Sequence, residues 1–304
     1  MDKSAVTIER IRTFVRVAER GSLSAVARDL NVGQSTVTRQ LQELEAAIGA
    51  PLLGRTTRRV TLTEEGSRYY ARAIQILRLL EQANDEALGS SGASAGTIRI
   101  TCTASFGVMH VSRLIFAFQD RYPDIGVDFG LTDQRIDLVR EGVDLALRLA
   151  PLTDSSLKLR PLGQSQRLIV AAPDYLAAHG RPMVPQDLAG HQGIRMLNVA
   201  GSDMLALEGP DGETYRVPFG GRLRIDHGLA AREALIAGRG IAASHRWLVD
   251  DLVAAGHLEV ILPDYRLQPV PLNLLIVPER AAIARVRLLI DFLAEQIRTV
   301  PGIE

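Results

Sequence analysis

At 304 residues the chain exceeds what one hydrophobic core of ordinary size organises, so two or three domains are expected. With 46% hydrophobic and 23% charged residues, the composition is that of a soluble globular protein and excludes disordered and collagen-like classes. The single cysteine, Cys102, excludes an intramolecular disulfide, a multi-thiolate zinc site and a two-cysteine redox switch. The first residues, Met1 to Ser4 and then Ile8, Ile11 and Phe14 at helical spacing, lack an apolar signal core, and no run of eighteen apolar residues follows; a cytoplasmic protein is expected. Bases and acids balance at 35 each, yet residues 1–64 hold ten bases to seven acids. Between Glu45 and Glu64 the only charges are Arg55, Arg58 and Arg59, a cluster suited to phosphates, although a solvated face is the plainer reading of it taken alone.

Ile8, Ile11, Phe14, Val15 and Ala18 share one helical face. A second helix starts at Ser22 as cap and carries Leu23, Val26, Ala27 and Leu30 to the turn Asn31-Val32-Gly33. A third helix follows at once, with Val37, Leu41, Leu44 and Ile48 inward and Gly49 as its stop. The stretch 51–63, β-branched and bounded by glycine, predicts a short hairpin. Helix, turn, helix and trailing hairpin make a winged helix. Thr63 then caps a long helix whose apolar stripe, Tyr69 or Tyr70, Ala73, Ile76, Leu77, Leu80, Ala83 and Ala87, is narrow enough to need a partner helix. Residues 89–96 form a small-residue hinge, the clearest domain boundary. Beyond it, strands at 98–101, 125–131, 145–147, 168–171 and 274–277 alternate with helices at 108–120, 229–237 and 284–297, which predicts an α/β domain with mostly parallel strands.

On a helical wheel, Leu41, Leu44 and Ile48 fall within roughly 40° of Val37, while Ser35, Arg39 and Gln42 lie opposite and Thr38 flanks them. Arginine pairs its donors with guanine, glutamine pairs with adenine, and short hydroxyls reach phosphate or base edges. Read singly, such residues are ordinary solvated ones; two helices, a tight turn and a basic hairpin together favour DNA.

These residues are also familiar as a set. Ser22-Leu23-Ser24-Ala25-Val26-Ala27, Leu30-Asn31-Val32-Gly33-Gln34-Ser35-Thr36-Val37-Thr38-Arg39-Gln40-Leu41, Pro51-Leu52-Leu53, Arg55-Thr56-Thr57-Arg58 and Leu62-Thr63-Glu64-Glu65-Gly66 closely resemble the DNA-binding half of LysR-type transcriptional regulators. With the α/β half, the resemblance spans the whole chain. It implies an α/β multidomain protein: a winged helix-turn-helix over 1–63, a dimerisation helix over 64–88, a hinge over 89–96 and an effector domain over 97–304. That domain would resemble a type II periplasmic binding protein, with lobe I at about 97–165 and 268–304 and lobe II at about 166–267. DNA contacts carry over to Gln34, Ser35, Thr38 and Arg39, with Arg55 and Arg58 on the wing; Gln42 joins them from the wheel. The family's usual Ser-Gln-Pro helix start is here Gly33-Gln34-Ser35, and its usual wing Phe is Leu53.

In the second half, Gly96-Thr97-Ile98-Arg99-Ile100 and Ala104-Ser105-Phe106-Gly107 resemble the family's first strand and the loop opening its first effector-domain helix. Thr103 and Ser105 sit where helix N-terminal amides attract a carboxylate, with Ser105 as simple cap the plainer alternative. Thr132 and Arg148 fall at strand C-terminal ends, facing the crevice expected between lobes; Arg148 as a surface ion-pair partner is an equal alternative. In the resemblance, Asn198, Asp226 and His227 approach the same crevice from lobe II, and His245 replaces the family's usual Pro, as a pocket residue or an exposed one. Gly238-Arg239-Gly240 is read as a helix stop in preference to a dinucleotide fingerprint, and Cys102 as a small hydrophobe in preference to a reactive thiol.

The resulting expectation is a regulator of transcription, not an enzyme, that binds double-stranded operator DNA and responds to a small organic anion between its lobes. Effector binding would change the relative placement of paired DNA-reading heads. The resemblance implies a homotetramer built as a dimer of dimers, with RNA polymerase a candidate partner. No cofactor, metal or membrane association is expected. Two rivals stand against this: a small-molecule enzyme on the α/β half, disfavoured because no nucleophile–base or acid–base constellation is visible, and an architectural DNA binder without effector.

Overall fold

The computed structural model describes residues 6–55, 60–88, 95–150, 157–197, 199 and 201–304, without the side chains at 55, 78, 81, 82 and 85–88. Two compact units divide the chain: Met1–Ala93 with Ile136–Val143, and Ser94–Arg135 with Asp144–Glu304.

In the first unit, helix α1 (Ile8–Arg20) starts where the Thr7 hydroxyl accepts from the Arg10 N–H at 3.3 Å. It ends at Gly21, whose φ of 63° lies in the left-handed region that a β-carbon disfavours. Helix α2 (Leu23–Asp29) starts as expected at Ser22, whose hydroxyl accepts from the Ala25 N–H. Helix α3 (Gln34–Ile48) begins at Gly33 without a side-chain cap and stops at Gly49. Strands β1 (Leu53–Arg55) and β2 (Val60–Leu62) pair antiparallel with Leu53 opposite Leu62. This is the expected hairpin; its tip, with Arg58, lies outside the described residues. Thr63 caps α4 (Glu64–Leu88), accepting from the Gly66 N–H at 2.8 Å and donating to the Pro51 carbonyl. Phe14, Val17, Val26, Val37, Leu41, Leu44 and Leu52 form the core, with Tyr69 edge-on to Phe14 at 5.5 Å.

The apolar stripe of α4 serves two purposes. Ala73 and Ile74 are buried and Leu77 packs with them against this core, whereas Ile76 and Leu79 stand 42% and 63% exposed. Leu77, assigned from the sequence to a partner-facing stripe, therefore belongs to the head's own core. Helical spacing alone cannot separate two adjacent apolar faces. Leu80 is half-buried, Ala83 is exposed, and the Ala87 side chain lies outside the described residues.

The second unit opens with β3 (Gly96–Cys102), α5 (Ala104–Phe106), a π-helical turn at Gly107–Val111, α6 (Ser112–Arg121) and β4 (Ile125–Leu131). The short helix α7 (Leu138–Glu141) groups with the first unit. There follow β5 (Leu145–Leu149), β6 (Lys158–Ser165), β7 (Arg167–Ala171), α8 (Pro173–His179), β8 (Ile194–Met196), β9 (Met204–Glu208), β10 (Thr214–Pro218) and β11 (Leu223–Ile225). Helix α9 (Gly228–Ile236), β12 (Ile241–His245), α10 (Arg246–Ala254), β13 (Glu259–Val260), β14 (Arg266–Leu267), β15 (Val270–Ile276) and α11 (Ala284–Gln296) complete it.

One five-stranded sheet runs β4-β3-β5-β15-β6, and β7 to β14 form three smaller sheets. The chain passes from the first sheet to the others between Ser165 and Arg167, and returns between Leu267 and Val270; the two groups are the two lobes. The expectation of mostly parallel strands is corrected. Among the described residues of this unit only β3–β4, β3–β5 and β8–β11 are parallel. Strand β15 enters the first sheet after the chain has left it for the second lobe, and so runs against β5 and β6; apolar runs mark strands but carry no direction. Ile98, Ile100, Leu145, Leu147, Leu272 and Leu274 fill the sheet's buried faces, under Ile115 and Phe118 of α6 and Leu289 and Leu293 of α11. No helix among the described residues is long and apolar enough to cross a membrane.

Candidate nucleic-acid interface and effector crevice

Helix α3 buries Val37, Leu41, Leu44 and Ala47 and leaves Gln34, Ser35, Arg39 and Gln42 exposed, with Thr38 half-buried beside them. The other side of α3 is tied to α1. Gln40 accepts from the Thr13 hydroxyl at 2.7 Å and donates to Glu9 at 2.9 Å, while Glu43 pairs with Arg10. Glu45 holds the wing's base, its carboxylate accepting from the Leu52 and Leu53 N–H groups at 2.8 and 3.0 Å. Arg58 and the side chain of Arg55 lie outside the described residues.

In the second unit, Cys102 of β3 stands in register with Leu131 of β4 and Leu147 of β5. The C-terminal ends of three parallel strands thus open together, which is where α/β sheets place ligands. Thr103 is half-buried at the end of β3, its N–H bonded to the Leu147 carbonyl. Thr132 extends the β3–β4 ladder, its N–H bonded to the Cys102 carbonyl, and its hydroxyl accepts from the Gln134 N–H at 3.2 Å. The Arg148 guanidinium donates to Thr101 Oγ1 and to the Leu147 carbonyl, each at 3.1 Å, and makes no ion pair with any described residue, which removes the surface-pair reading. Burial pushes its pKa down, with Cys102 and Asp133 opposing.

Two features depart from expectation. Ser105 is buried, and its hydroxyl caps no bond of its own helix; it accepts from the Leu229 N–H at 3.1 Å, at the start of α9 in the other lobe. The first amide of α5 is already taken, because Asp133 Oδ1 accepts from the Ala104 N–H at 3.0 Å. Sequence reasoning missed Asp133, although an acid two residues past a strand end was there to be read as a helix-terminus partner. His227 is half-buried at the N-cap of α9 and makes no side-chain cap bond, and Asp226 is exposed. Thr103, Thr132 and Arg148 thus stand at or near the strand ends, and Ser105 reaches the start of α9, whose N-cap is His227; Asn198 lies outside the described residues.

His245 is no exposed substitute for proline. Trp247 Nε1–H donates to Ser165 Oγ at 3.0 Å, which leaves the serine proton for His245 Nδ1 at 2.8 Å, and the imidazole stacks on Trp247. Burial, with Arg167 nearby, pushes its pKa down to about 3, so the ring is neutral. Between about 6.5 and about 3 the unfolded chain binds a proton that the folded one refuses, and stability falls with falling pH by up to about 1.4 kcal/mol per pH unit. His110 and His191, also pushed down by burial, act in the same direction. Urea unfolding at pH 7 and pH 5 is expected to show a smaller pH-dependent loss for His245→Gln than for the unaltered protein; equal losses would refute this account. Cys102 is fully buried and its thiol pKa is raised by that burial, as suits a packing residue. Gly238, at φ 63°, ends α9 by donating to the Leu235 carbonyl, so these glycines stop a helix.

Comparison with known families settles the relationship. Residues 8–67 match the model of the bacterial regulatory helix-turn-helix protein, lysR family, and residues 91–298 match the LysR substrate binding domain. The chain belongs to the LysR family. Among LysR-type relatives, the HTH-type transcriptional regulator CrgA of Neisseria meningitidis serogroup C is 33% identical, over 95% of this chain and 96% of its own. The regulator DmlR of Escherichia coli K12 is also 33% identical, over 94% of this chain and 92% of its own. The full-length structure of the Vibrio cholerae virulence activator AphB superposes with a TM-score of 0.65 at 28% identity, covering 95% of this chain and 99% of that one. This LysR-family chain is thus a DNA-binding transcriptional regulator with an effector-binding domain, and its relatives are regulators, not enzymes.

Proposed function

We propose that this regulator reads its operator through Gln34, Ser35, Thr38, Arg39 and Gln42 of α3, with Arg55 and Arg58 anchoring the wing on phosphates. The exposed polar face of α3, braced from behind by Gln40, Glu43 and Glu45, supports the reading. Arg39→Ala is expected to remove discrimination between operator and random DNA worth about 1–3 kcal/mol, whereas Arg55→Ala weakens binding to all sequences alike. Titrations of both variants at fixed salt measure this, and unaltered operator affinity for Arg39→Ala would end the assignment.

The effector is a small organic anion, a carboxylate, bound between the lobes. The observation that carries this is the guanidinium of Arg148, part-buried and without an acid partner within ion-pair distance, near the shared end of three strands that also carries Thr103 and Thr132. Ser105 enters differently from the expectation: its hydroxyl is committed to α9, so it ties the lobes together beside the ligand. Losing one hydrogen bond to a charged ligand costs about 1.5–3 kcal/mol, roughly ten- to a hundredfold in affinity. Calorimetry with organic acids, neutral metabolites and cations is expected to find an acid that Thr132→Val binds at least about tenfold more weakly. A tight neutral or cationic ligand, or an acid bound equally by both proteins, would overturn the site.

Pairing is assigned to α4 through Ile76, Leu79 and Leu80, and two such dimers form a homotetramer that touches adjacent operator sites. A cytoplasmic location and contact with RNA polymerase at promoters belong to the same reading, as does repositioning of the DNA-reading heads when effector binds.

A further inference from the structure

Helices α1 and α3 pack together in the DNA-binding head and share one apolar core, Ile11 and Phe14 from α1 with Val37, Leu41 and Leu44 from α3. Apolar packing is non-directional, and helix pairs held by it tolerate about 15–20° of scatter in their crossing. Reading base edges is less forgiving, because a paired contact needs both donors in line with their acceptors. One directional feature crosses the seam between these helices. Thr13, only 2% exposed on α1, donates its hydroxyl proton to Gln40 Oε1 at 2.7 Å, and Gln40 Nε2–H donates to Glu9 Oε1 at 2.9 Å. This chain of bonds has a single polarity. The Glu9 carboxylate only accepts, so the amide nitrogen of Gln40 must face it; the amide oxygen is left for Thr13, whose hydroxyl then has to donate. A slip of α3 by one residue, about 1.5 Å along its axis, would break both bonds and orphan a buried hydroxyl. Gln40 is half-buried and next in sequence to the exposed Arg39, so one peptide unit of helix separates the seam from the reading face. Glu43, one turn on, pairs with Arg10 along the same seam.

We propose that Gln40 is a positioning residue for DNA recognition: bridging Thr13 and Glu9, it fixes the axial register and roll of α3 on α1, and so the angle at which Arg39 and its neighbours meet the groove. This role rests on the reading of α3 as the helix that enters the groove. It serves discrimination more than stability. A buried polar pair replaced at both ends by apolar groups of similar shape costs little, whereas the register that the pair imposed is lost.

The test uses the full-length chain, a duplex that the unaltered protein selects from a randomised pool, and a scrambled duplex of equal length, titrated at one salt concentration beside melting curves. Thr13→Val combined with Gln40→Met removes both partners at once. The double variant is expected to melt like the unaltered protein and to bind scrambled duplex equally well, while its affinity for the selected duplex falls about fivefold or more. Thr13→Ser keeps the donor and is expected to keep the full ratio of selected to scrambled affinity. Glu9→Ala, at an exposed position, is expected to lower that ratio without altering melting, and it decides the matter if the double variant does not fold. An unchanged ratio in the double variant, or in Glu9→Ala where that variant decides, would overturn the proposal. So would an equal loss in Thr13→Ser, or a joint fall of both affinities and the melting temperature, which marks a purely structural role. Arg39→Ala, run alongside, separates the two readings. If it too keeps the ratio, α3 does not read the groove and both readings fall; if it loses the ratio while the double variant keeps it, only the role of Gln40 falls.

Discussion

Replacing Ile76 and Leu79 together by glutamate is expected to reduce the protein to a smaller species in light scattering and to abolish its operator footprint at concentrations where the unaltered protein is bound. Both side chains are exposed on α4, so in the separated chain the carboxylates cost little. Against a partner helix they would be buried without counter-charges, which costs several kcal/mol, on the order of 2 or more for each. Losing one of two linked DNA-reading heads removes an effective-concentration gain of about 10²–10⁴. Leu77→Glu provides the contrast. Because Leu77 packs with Ala73 and Ile74 on the head's own core, that change should lower the head's melting temperature, which the exposed pair should leave nearly constant. An unchanged oligomer with an unchanged footprint in the double variant would remove α4 as the pairing surface.

That contrast also marks how far the sequence could be read. The head was legible almost residue by residue, because its signals are local: Ser22 and Thr63 as caps, Gly49 as a left-handed stop, and Val37, Leu41 and Leu44 at helical spacing each act within one turn of chain. The two apolar faces of α4 were not separable, since which of them meets Phe14 is decided by the angle at which α1 and α4 cross. Strand direction was lost for a similar reason. The pairing of β15 with β5 and β6 joins segments more than a hundred residues apart, and no local pattern encodes it.

The crevice shows the same division. Thr103, Thr132 and Arg148 fall at strand ends, and strand ends can be seen in the sequence. What each polar atom bonds cannot be. The partner of Ser105 is 124 residues away, and the lock of His245, Ser165 and Trp247 ties the first crossing between lobes to residues 80 and 82 positions further along the chain.

Gly66→Ala is expected to destabilise the DNA-binding head by about 2 kcal/mol or more, against the gain that helix propensity alone would bring. An alanine in a helix interior is worth about 1 kcal/mol over glycine, and Gly66 lies in the first turn of α4. A β-carbon there would stand 1.9 Å from the Leu52 carbonyl oxygen and 2.8 Å from its carbon. That carbonyl cannot swing away freely, because it accepts from the Thr63 N–H at 3.0 Å, while the Leu52 N–H is held by Glu45 at 2.8 Å. Overpacking against fixed atoms costs about 1–3 kcal/mol and sometimes more, so the clash wins over the propensity gain. Relief requires either the wing's base to part from α3 or α4 to start a turn later, which would abandon the bond from Gly66 N–H to the Thr63 hydroxyl. Either path shifts the wing relative to α3; with the wing arginines on phosphates, as proposed, operator affinity should fall together with the melting temperature. A Gly66→Ala protein as stable as the original and equally tight on its operator would show that the approach of α4 to Leu52 does not set the position of the wing.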